Sequence, residues 1–419
     1  MQIAPRDGRT IVVAPFVGSP AYRAGLRPGD VIFQVDDTPT DGLTTGEVAD
    51  RLKGPRGTVV RIKVMREGHD EPLEFVITRD EIPRISVEHA FELRTGIAYV
   101  RISNFNETTQ EELARVLGQF DLSHLKGLLL DLRGNPGGLL TQGVAATDLF
   151  LAKNQLIVSH RGRAQRDRRY YATQGNNGVH YPLIVLIDRG SASASEIVAG
   201  AIQDHDRGLI VGETSFGKGL VQTVYPLSQD TGLALTTARY YTPSGRLIQR
   251  DFRSVSLYNY YYRDSQENNN RGQTYKTDSG RIVYGGGGIA PDVVVPHPRL
   301  NRFQELLRDR DVFFNFAKHF LADRDSVPRD FIVDAYVLNR FRAFLDQQDL
   351  RFTEGDIQQN RDWIERLIKK HIFTSVFGQP EGFRVELEGD YQVQKALELL
   401  PQAAELAATS RRLVAQRQP

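Results

Sequence analysis

Leu183-Ile-Val-Leu-Ile-Asp188 runs directly into Arg189-Gly-Ser-Ala-Ser-Ala-Ser-Glu196, and that into Ile197-Val-Ala-Gly-Ala-Ile-Gln-Asp204. The first piece is apolar and strand-sized, the pattern of a strand covered on both faces. The second is a turn of small residues. From Ser193 to Asp204 the chain reads as a small-residue helix. A strand, a tight turn and a helix N-terminus present a side chain at the strand's carboxyl end, with the first helical N–H groups aimed at any oxyanion formed there. An ordinary serine helix cap fits the same residues, so the stretch alone leaves both readings open.

Working outward, Gly96 to Ile102 and Gly127 to Leu132 read as strands, with a helix at Thr109 to Leu117 between them. Leu209 to Val211 reads as a further strand. This β–α–β rhythm predicts a mostly parallel sheet with helices on its faces. Leu220 to Leu227 and Leu233 to Tyr240 add extended segments, 263–280 reads as a polar loop or insertion, and Val293 to Val295 closes the region. Residues 1–82 form a β-rich module with strands at Thr10 to Phe16, Val31 to Val35 and Thr58 to Met65. Between the first two of these, Ser19-Pro20 suits a helix start, and Gly25 with Pro28-Gly29 a stop and turn. After Pro298 the pattern turns helical, and Trp363, Ile364, Leu367, Ile368 and His371 share one stripe. That stripe is read as packing, with no ligand role for His371. The expected division is 1–82, 83–298 and 299–419.

The chain has 419 residues, 40% apolar and 25% charged, with net charge +1. Such a balance supplies no overall field to draw in nucleic acid or an anionic membrane. The basic run Arg161 to Arg169 is local and reads as a solvated face or strand pair. With no cysteine, disulfides, a catalytic thiol, thiolate zinc sites and iron–sulfur clusters are excluded. No His-Glu-x-x-His is present, and no metal or cofactor is expected. No segment reaches the ~18 apolar residues of a membrane span. Met1 to Thr10 lacks the apolar stretch of a signal peptide, leaving a cytoplasmic protein or one whose targeting segment has been removed.

Two further glycine-rich stretches bear on chemistry. Gly212-Glu-Thr-Ser-Phe-Gly-Lys-Gly219 fits seven positions of a phosphate loop but has Gly219 where Ser or Thr should bind magnesium. The next residues, Leu220 to Tyr225, are β-branched and strand-like rather than helical, which argues against a nucleotide. A lysine between glycines, with its stem buried, would instead have a lowered ammonium pKa and could accept a proton from a serine. Asp131-Leu-Arg-Gly-Asn-Pro-Gly-Gly138 comes after an apolar strand. Gly137 or Gly138 could supply a backbone N–H to an oxyanion, and an ordinary strand-to-helix turn fits equally.

Together, Ser191 to Glu196 and Phe216-Gly-Lys-Gly219 resemble the signature of the C-terminal processing peptidase (tail-specific protease) family. Its nucleophile and base lysine lie 25 positions apart, the spacing of Ser193 and Lys218. Four residues after the lysine the family has a glutamine that orients the amine; Gln222 stands there. Asp131 to Gly138, Tyr241-Thr-Pro-Ser-Gly-Arg246 and Gly288-Ile-Ala-Pro-Asp292 also resemble its motifs, and Ser19 to Asp30 resembles its PDZ domains. The resemblance covers about residues 1–298. It implies a multidomain α/β protein: a PDZ-like domain, a mixed α/β protease core of the ClpP/crotonase-like type and a helical C-terminal region for oligomerisation or gating.

The implied activity is a serine endopeptidase cutting near accessible C-terminal tails in a bacterial periplasm or envelope, with a homo-oligomer among the expectations. Ser193 would be the nucleophile, Lys218 the base, Gln222 its orienter, and Ala194 with Gly137 or Gly138 the oxyanion donors. Glu196, Glu213 and Asp131 are read as structural. The family's carboxylate-binding loop sits just before the strand matching Gln2 to Ala4, so an N-terminal truncation is expected. Rival readings are a Ser-His-Asp hydrolase, although none of the nine histidines sits in a motif and Gly-x-Ser-x-Gly is unmatched, and a non-catalytic ligand-binding relative.

Overall fold

The computed structural model describes residues 1–82, 85–163, 167–228, 231–250, 273–322, 324 and 326–417. At the N-terminus, β1 (Gln2–Arg6), β2 (Arg9–Ala14), β3 (Val31–Val35), β4 (Thr38–Pro39), β5 (Val59–Met65) and β6 (Leu73–Thr78) make one sheet ordered β1-β2-β3-β5-β6, with β4 on β3. Alternation along β5 buries Val60, Ile62 and Val64 against Val12, Ile32 and Val48. Helix α1 (Pro20–Ala24) begins as expected: the Ser19 hydroxyl accepts from the Tyr22 N–H, and Gly25 ends it at φ 91°. Helix α2 (Thr45–Leu52) is held by a Thr44–Glu47 capping box.

The central region contains β7 (Val87–Arg94), β8 (Ile97–Ile102), α3 (Thr109–Leu117), β9 (Gly127–Asp131), α4 (Leu140–Asp148), β10 (Leu156–Arg161), β11 (Arg168–Tyr171), β12 (Leu183–Ile187), α5 (Ala194–Asp204), β13 (Leu209–Gly212), β14 (Leu220–Pro226), β15 (Gly232–Tyr241), β16 (Thr274–Lys276), β17 (Ile282–Tyr284) and β18 (Val293–Val294). Its main sheet runs β18-β13-β12-β9-β8-β7. Every pairing from β18 to β8 is parallel, and β7 joins β8 antiparallel. Each residue of β9 and β12 is buried, which is why these strands read as unbroken apolar runs. A second sheet, β11-β10-β15-β14, packs through Ile157, Val158 and Tyr240 onto Ile197 and Ala201 of α5. The segment expected as a polar loop contains a short strand at its end, β16, paired with β17; 263–272 lie outside the described residues.

Helices α6 (Arg302–Asp309), α7 (Val312–Leu321), α8 (Ala335–Gln347), α9 (Glu354–Gln359), α10 (Arg361–Phe377), α11 (Gln379–Leu387), α12 (Tyr391–Glu398) and α13 (Leu400–Arg417) complete the chain's order of elements. No helix among the described residues is long and apolar enough to cross a membrane. The helices are shared between two compact units, Met1–Pro83 with Pro298–Asp390, and Arg84–His297 with Tyr391–Pro419.

In the first unit the expected stripe is core: Ile364 and Ile368 join Phe316 and Phe341, with Trp363 and Leu367 partly buried beside them. His371 packs against Phe313, ring centroids 6.4 Å apart. Burial, then the charges of Lys370 and Arg6, push the His371 pKa from 6.5 down to about 3. A depressed folded-state pKa means stability fully present above pH 6.5 and lost as pH falls towards 3, with a slope approaching about 1.4 kcal/mol per pH unit. Unfolding followed by Trp363, the single tryptophan, should therefore shift to lower denaturant below pH 6, and His371→Leu should flatten that shift.

Candidate active site

Strands β9, β12 and β13 are parallel neighbours, so the loops leaving their carboxyl ends share one edge of the sheet. These loops are the three stretches singled out above: Asp131 to Gly138, Asp188 to Ser193 and Gly212 to Gly219. An open parallel sheet builds its sites at that edge.

The turn after β12 separates its three serines. Ser191 is fully buried, its hydroxyl donating to the Leu132 carbonyl at 2.8 Å. Ser195 is fully buried as well, its hydroxyl donating to the Asn135 carbonyl at 3.0 Å. Ser193 between them is half-buried. Its backbone sits at φ 55°, ψ −111°, a conformation that costs a non-glycine residue of order 1–3 kcal/mol and survives only where its surroundings enforce it.

Two contacts do the enforcing. Gly137, at φ +93°, lies so close that a Cβ there would be 2.6 Å from the Ala192 carbonyl oxygen, 2.8 Å from Ser193 Cβ and 2.9 Å from the Ala194 nitrogen. Only glycine admits that approach. The other contact is Glu196, which is fully buried. Its Oε2 accepts from the Ser193 N–H and the Lys218 N–H, both at 2.8 Å, and its Oε1 from the Gly217 N–H at 2.7 Å and the Ser215 hydroxyl. Burial pushes the Glu196 carboxyl up, against the pull of these donors. One carboxyl thus ties the serine turn to the lysine loop.

The Asp131 loop is anchored from below. Asp131 accepts from Tyr99 Oη at 2.6 Å, Arg101 Nη1 at 3.1 Å and the Arg133 guanidinium. Burial would raise its pKa, but Arg133, Arg101 and Tyr99 outweigh burial and hold it at about 2. Arg133 Nη1 in turn donates to Gln392 Oε1 of α12 at 2.8 Å, and Gln392 Nε2 to the Val295 carbonyl at 2.6 Å. Gln392→Leu would remove this bridge and take from the Val295 carbonyl the donor that Gln392 supplies. It should lower stability by about 1–3 kcal/mol, read as a drop in the unfolding midpoint.

The proposed donors differ in availability. The Gly137 N–H is already given to Asn135 Oδ1 at 2.8 Å, while Gly138 is exposed and its N–H has no acceptor among the described residues. The Ala194 N–H is the first of α5, an orphan donor by position. The burial expected of the Lys218 stem is not found: Lys218 is exposed. Its flanking glycines instead let the loop backbone lie on the 249–250 segment, where a Cβ on Gly217 would meet Arg250 Cβ at 2.8 Å and one on Gly219 the Gln249 nitrogen at 2.9 Å. Gln222 is exposed on β14, beside an irregularity in register between Val221 and Gln222, the kind of bulge that re-aims a side chain. Ser193 Oγ, Lys218 Nζ and the Gln222 amide share no hydrogen bond among the described residues. A strand, β14, comes after Lys218 rather than a helix, which removes the phosphate-loop reading.

The family model described as Peptidase family S41 matches residues 96–253, spanning all three loops, and a PDZ domain model matches 11–66. Over residues 96–253 the chain is similar to peptidase family S41. Among its curated relatives is a carboxy-terminal-processing protease of Bartonella bacilliformis, 46% identical over 57% of this chain and 55% of the relative. A carboxyl-terminal-processing protease of Synechocystis is 38% identical over 60% of this chain and 59% of the relative. The carboxy-terminal processing protease CtpB of Bacillus subtilis is 36% identical over 59% and 52%. The chain matches little more than half the length of these curated relatives.

Sequence reasoning takes Glu196 as structural and has no reason to consider Gln392. The signal for Glu196 is present, three residues past Ser193, where a carboxylate reaches back to its own helix cap. None exists for Gln392, whose partner Arg133 is 259 residues away in the chain.

Proposed function

We propose that this chain is a serine endopeptidase that cuts polypeptides near their C-terminal tails through Ser193 and Lys218. One observation carries the reading. Of three serines in the turn, only Ser193 is held strained and accessible at a helix N-terminus, and the carboxyl that holds it also holds the lysine loop. Lys218, oriented by Gln222, takes the hydroxyl proton while Ser193 Oγ attacks a peptide carbonyl. The oxyanion forms against the Ala194 N–H and the Gly138 N–H, the free member of the glycine pair. The protonated lysine gives its proton to the leaving amine, and water cleaves the acyl-enzyme by the reverse path. In this scheme the side chains of Lys218 and Gln222 swing towards Ser193 when substrate docks; catalytic hydrogen bonds often tighten only then. The PDZ module takes the substrate tail as an added strand, and the protein works in a bacterial periplasm or envelope.

Casein digestion by the wild type and by Ser193→Ala tests this reading. Fragments from the first and none from a folded second support it. Equal fragmentation by both would move the nucleophile elsewhere.

A further inference from the structure

The sheet β11-β10-β15-β14 carries charges that the serine–lysine chemistry does not use. Its strands contain four arginines, Arg161, Arg168, Arg169 and Arg239, and no carboxylate. Ala238 and Tyr240 of β15 are buried, Tyr240 against α5, so alternation puts Arg239 on the opposite, outer face. Arg161 of β10 lies directly across from Arg239, and in the next row outward Ser159 faces both Tyr241 and Arg169. Arg161, Arg169 and Arg239 are exposed. The Arg161 guanidinium lies 4.7 Å from the Tyr241 ring centroid and forms a long ion pair with Asp167, at 3.7 Å. Arg169 and Arg239 have no ion-pair partner among the described residues.

Like charges directly opposite on neighbouring strands repel and weaken a sheet. Strands lie about 4.8 Å apart and alternate residues about 7 Å apart. These three guanidinium groups therefore fall within about a Debye length of one another and reinforce one local field. With a net charge of +1, the chain as a whole adds no large cationic field to this local one. Its place in the fold is what gives it a use. Leu220, two residues past Lys218, opens β14 and pairs with Arg239, so Arg239 stands beside the strand that leaves the lysine.

We propose that the outer face around Arg161, Arg169 and Arg239 is a binding surface for an acidic stretch of the polypeptide being cut. This rests on the peptidase reading above, since a polypeptide already reaching Lys218 passes the end of β14. The surface selects substrates carrying Asp and Glu at alternate positions beside the cleavable segment. It acts on capture rather than on the chemical step.

The test measures binding, so that it does not depend on catalysis. Two labelled unfolded peptides share one central segment and differ in a flank, one rich in Asp and Glu, the other in Asn and Gln. Their affinities are measured by anisotropy for Ser193→Ala and for Ser193→Ala carrying R161Q, R169Q and R239Q. The expected result is roughly tenfold tighter binding of the acidic peptide at low salt, lost at high salt and lost in the arginine variant, with the neutral peptide unchanged throughout. If the triple change perturbs the fold, R169Q with R239Q leaves the Arg161–Tyr241 stacking intact and should remove most of the preference. Equal affinities for the two peptides, or a preference that survives in the variants, would overturn the proposal. So would anionic phospholipid vesicles or single-stranded DNA binding this face while the acidic peptide does not. Cleavage of the neutral peptide by the wild type is measured in parallel: its absence counts against the peptidase reading and not against this surface.

Discussion

Lys218→Ala is expected to lower kcat/KM on an unfolded protein substrate by at least about a thousandfold, because nucleophile and base act as a unit. Its fold should be unchanged, since Lys218 is exposed and only its backbone N–H is held by Glu196. Lys218→Arg should be as inactive as the alanine variant. A guanidinium keeps the charge but does not give up its proton in proteins, so this variant separates proton transfer from electrostatics. The loss should fall on kcat with KM little altered. Combining Lys218→Ala with Ser193→Ala should cost little more than either alone. Kinetics on one fluorogenic substrate, with unfolding midpoints beside them, read all these outcomes. Substantial activity in Lys218→Arg would remove the lysine from the role of base.

The second large effect is expected at Glu196. Glutamine has the same shape, but one of its two positions is a donor. Each Glu196 oxygen accepts at least one backbone N–H, from Gly217 on one side and from Ser193 and Lys218 on the other. Glu196→Gln therefore sets N–H against N–H whichever way the amide turns. An unsatisfied buried donor costs about 1–3 kcal/mol, enough to lower the unfolding midpoint by several degrees. Activity should fall further than stability does. With the Ser193 N–H released, nothing but Gly137 opposes relaxation of a strained φ of 55°, and small displacements of a nucleophile cost about a hundredfold. The measurement is kcat well below the unfolding temperature, where a stability loss alone has no effect. A destabilised Glu196→Gln enzyme with unaltered kcat would make Glu196 only a structural tie.

Much of this site was legible because it is local. Leu183 to Ile187, Gly127 to Asp131 and Leu209 to Gly212 are short apolar runs ending in small residues, and each run, its turn and its spacing can be read without knowing the partner strand. The alternation of strands with helices such as Thr109–Leu117 then predicts a parallel sheet, and its switch of neighbours gathers the loops at one edge. The exposure of Lys218 was not legible, since glycines beside a lysine fit a covered stem and a bare one equally well. Nor was the fate of the C-terminal helices. The stripe at Trp363 announces a packed helix, yet nothing in the composition of 391–417 says that these residues leave that core and bring Gln392 to Arg133. Long-range polar pairs of this kind have no sequence period to betray them.

Labelling with a fluorophosphonate tests the Ser193–Lys218 dyad most directly, because the reagent reports an activated serine whatever the natural substrate is. The expected result is one adduct per wild-type chain, located to Ser193 by peptide mass, abolished in Lys218→Ala and in Lys218→Arg, and slowed in Gln222→Ala. An adduct on another serine, or labelling of Ser193 that proceeds unchanged without Lys218, would contradict it.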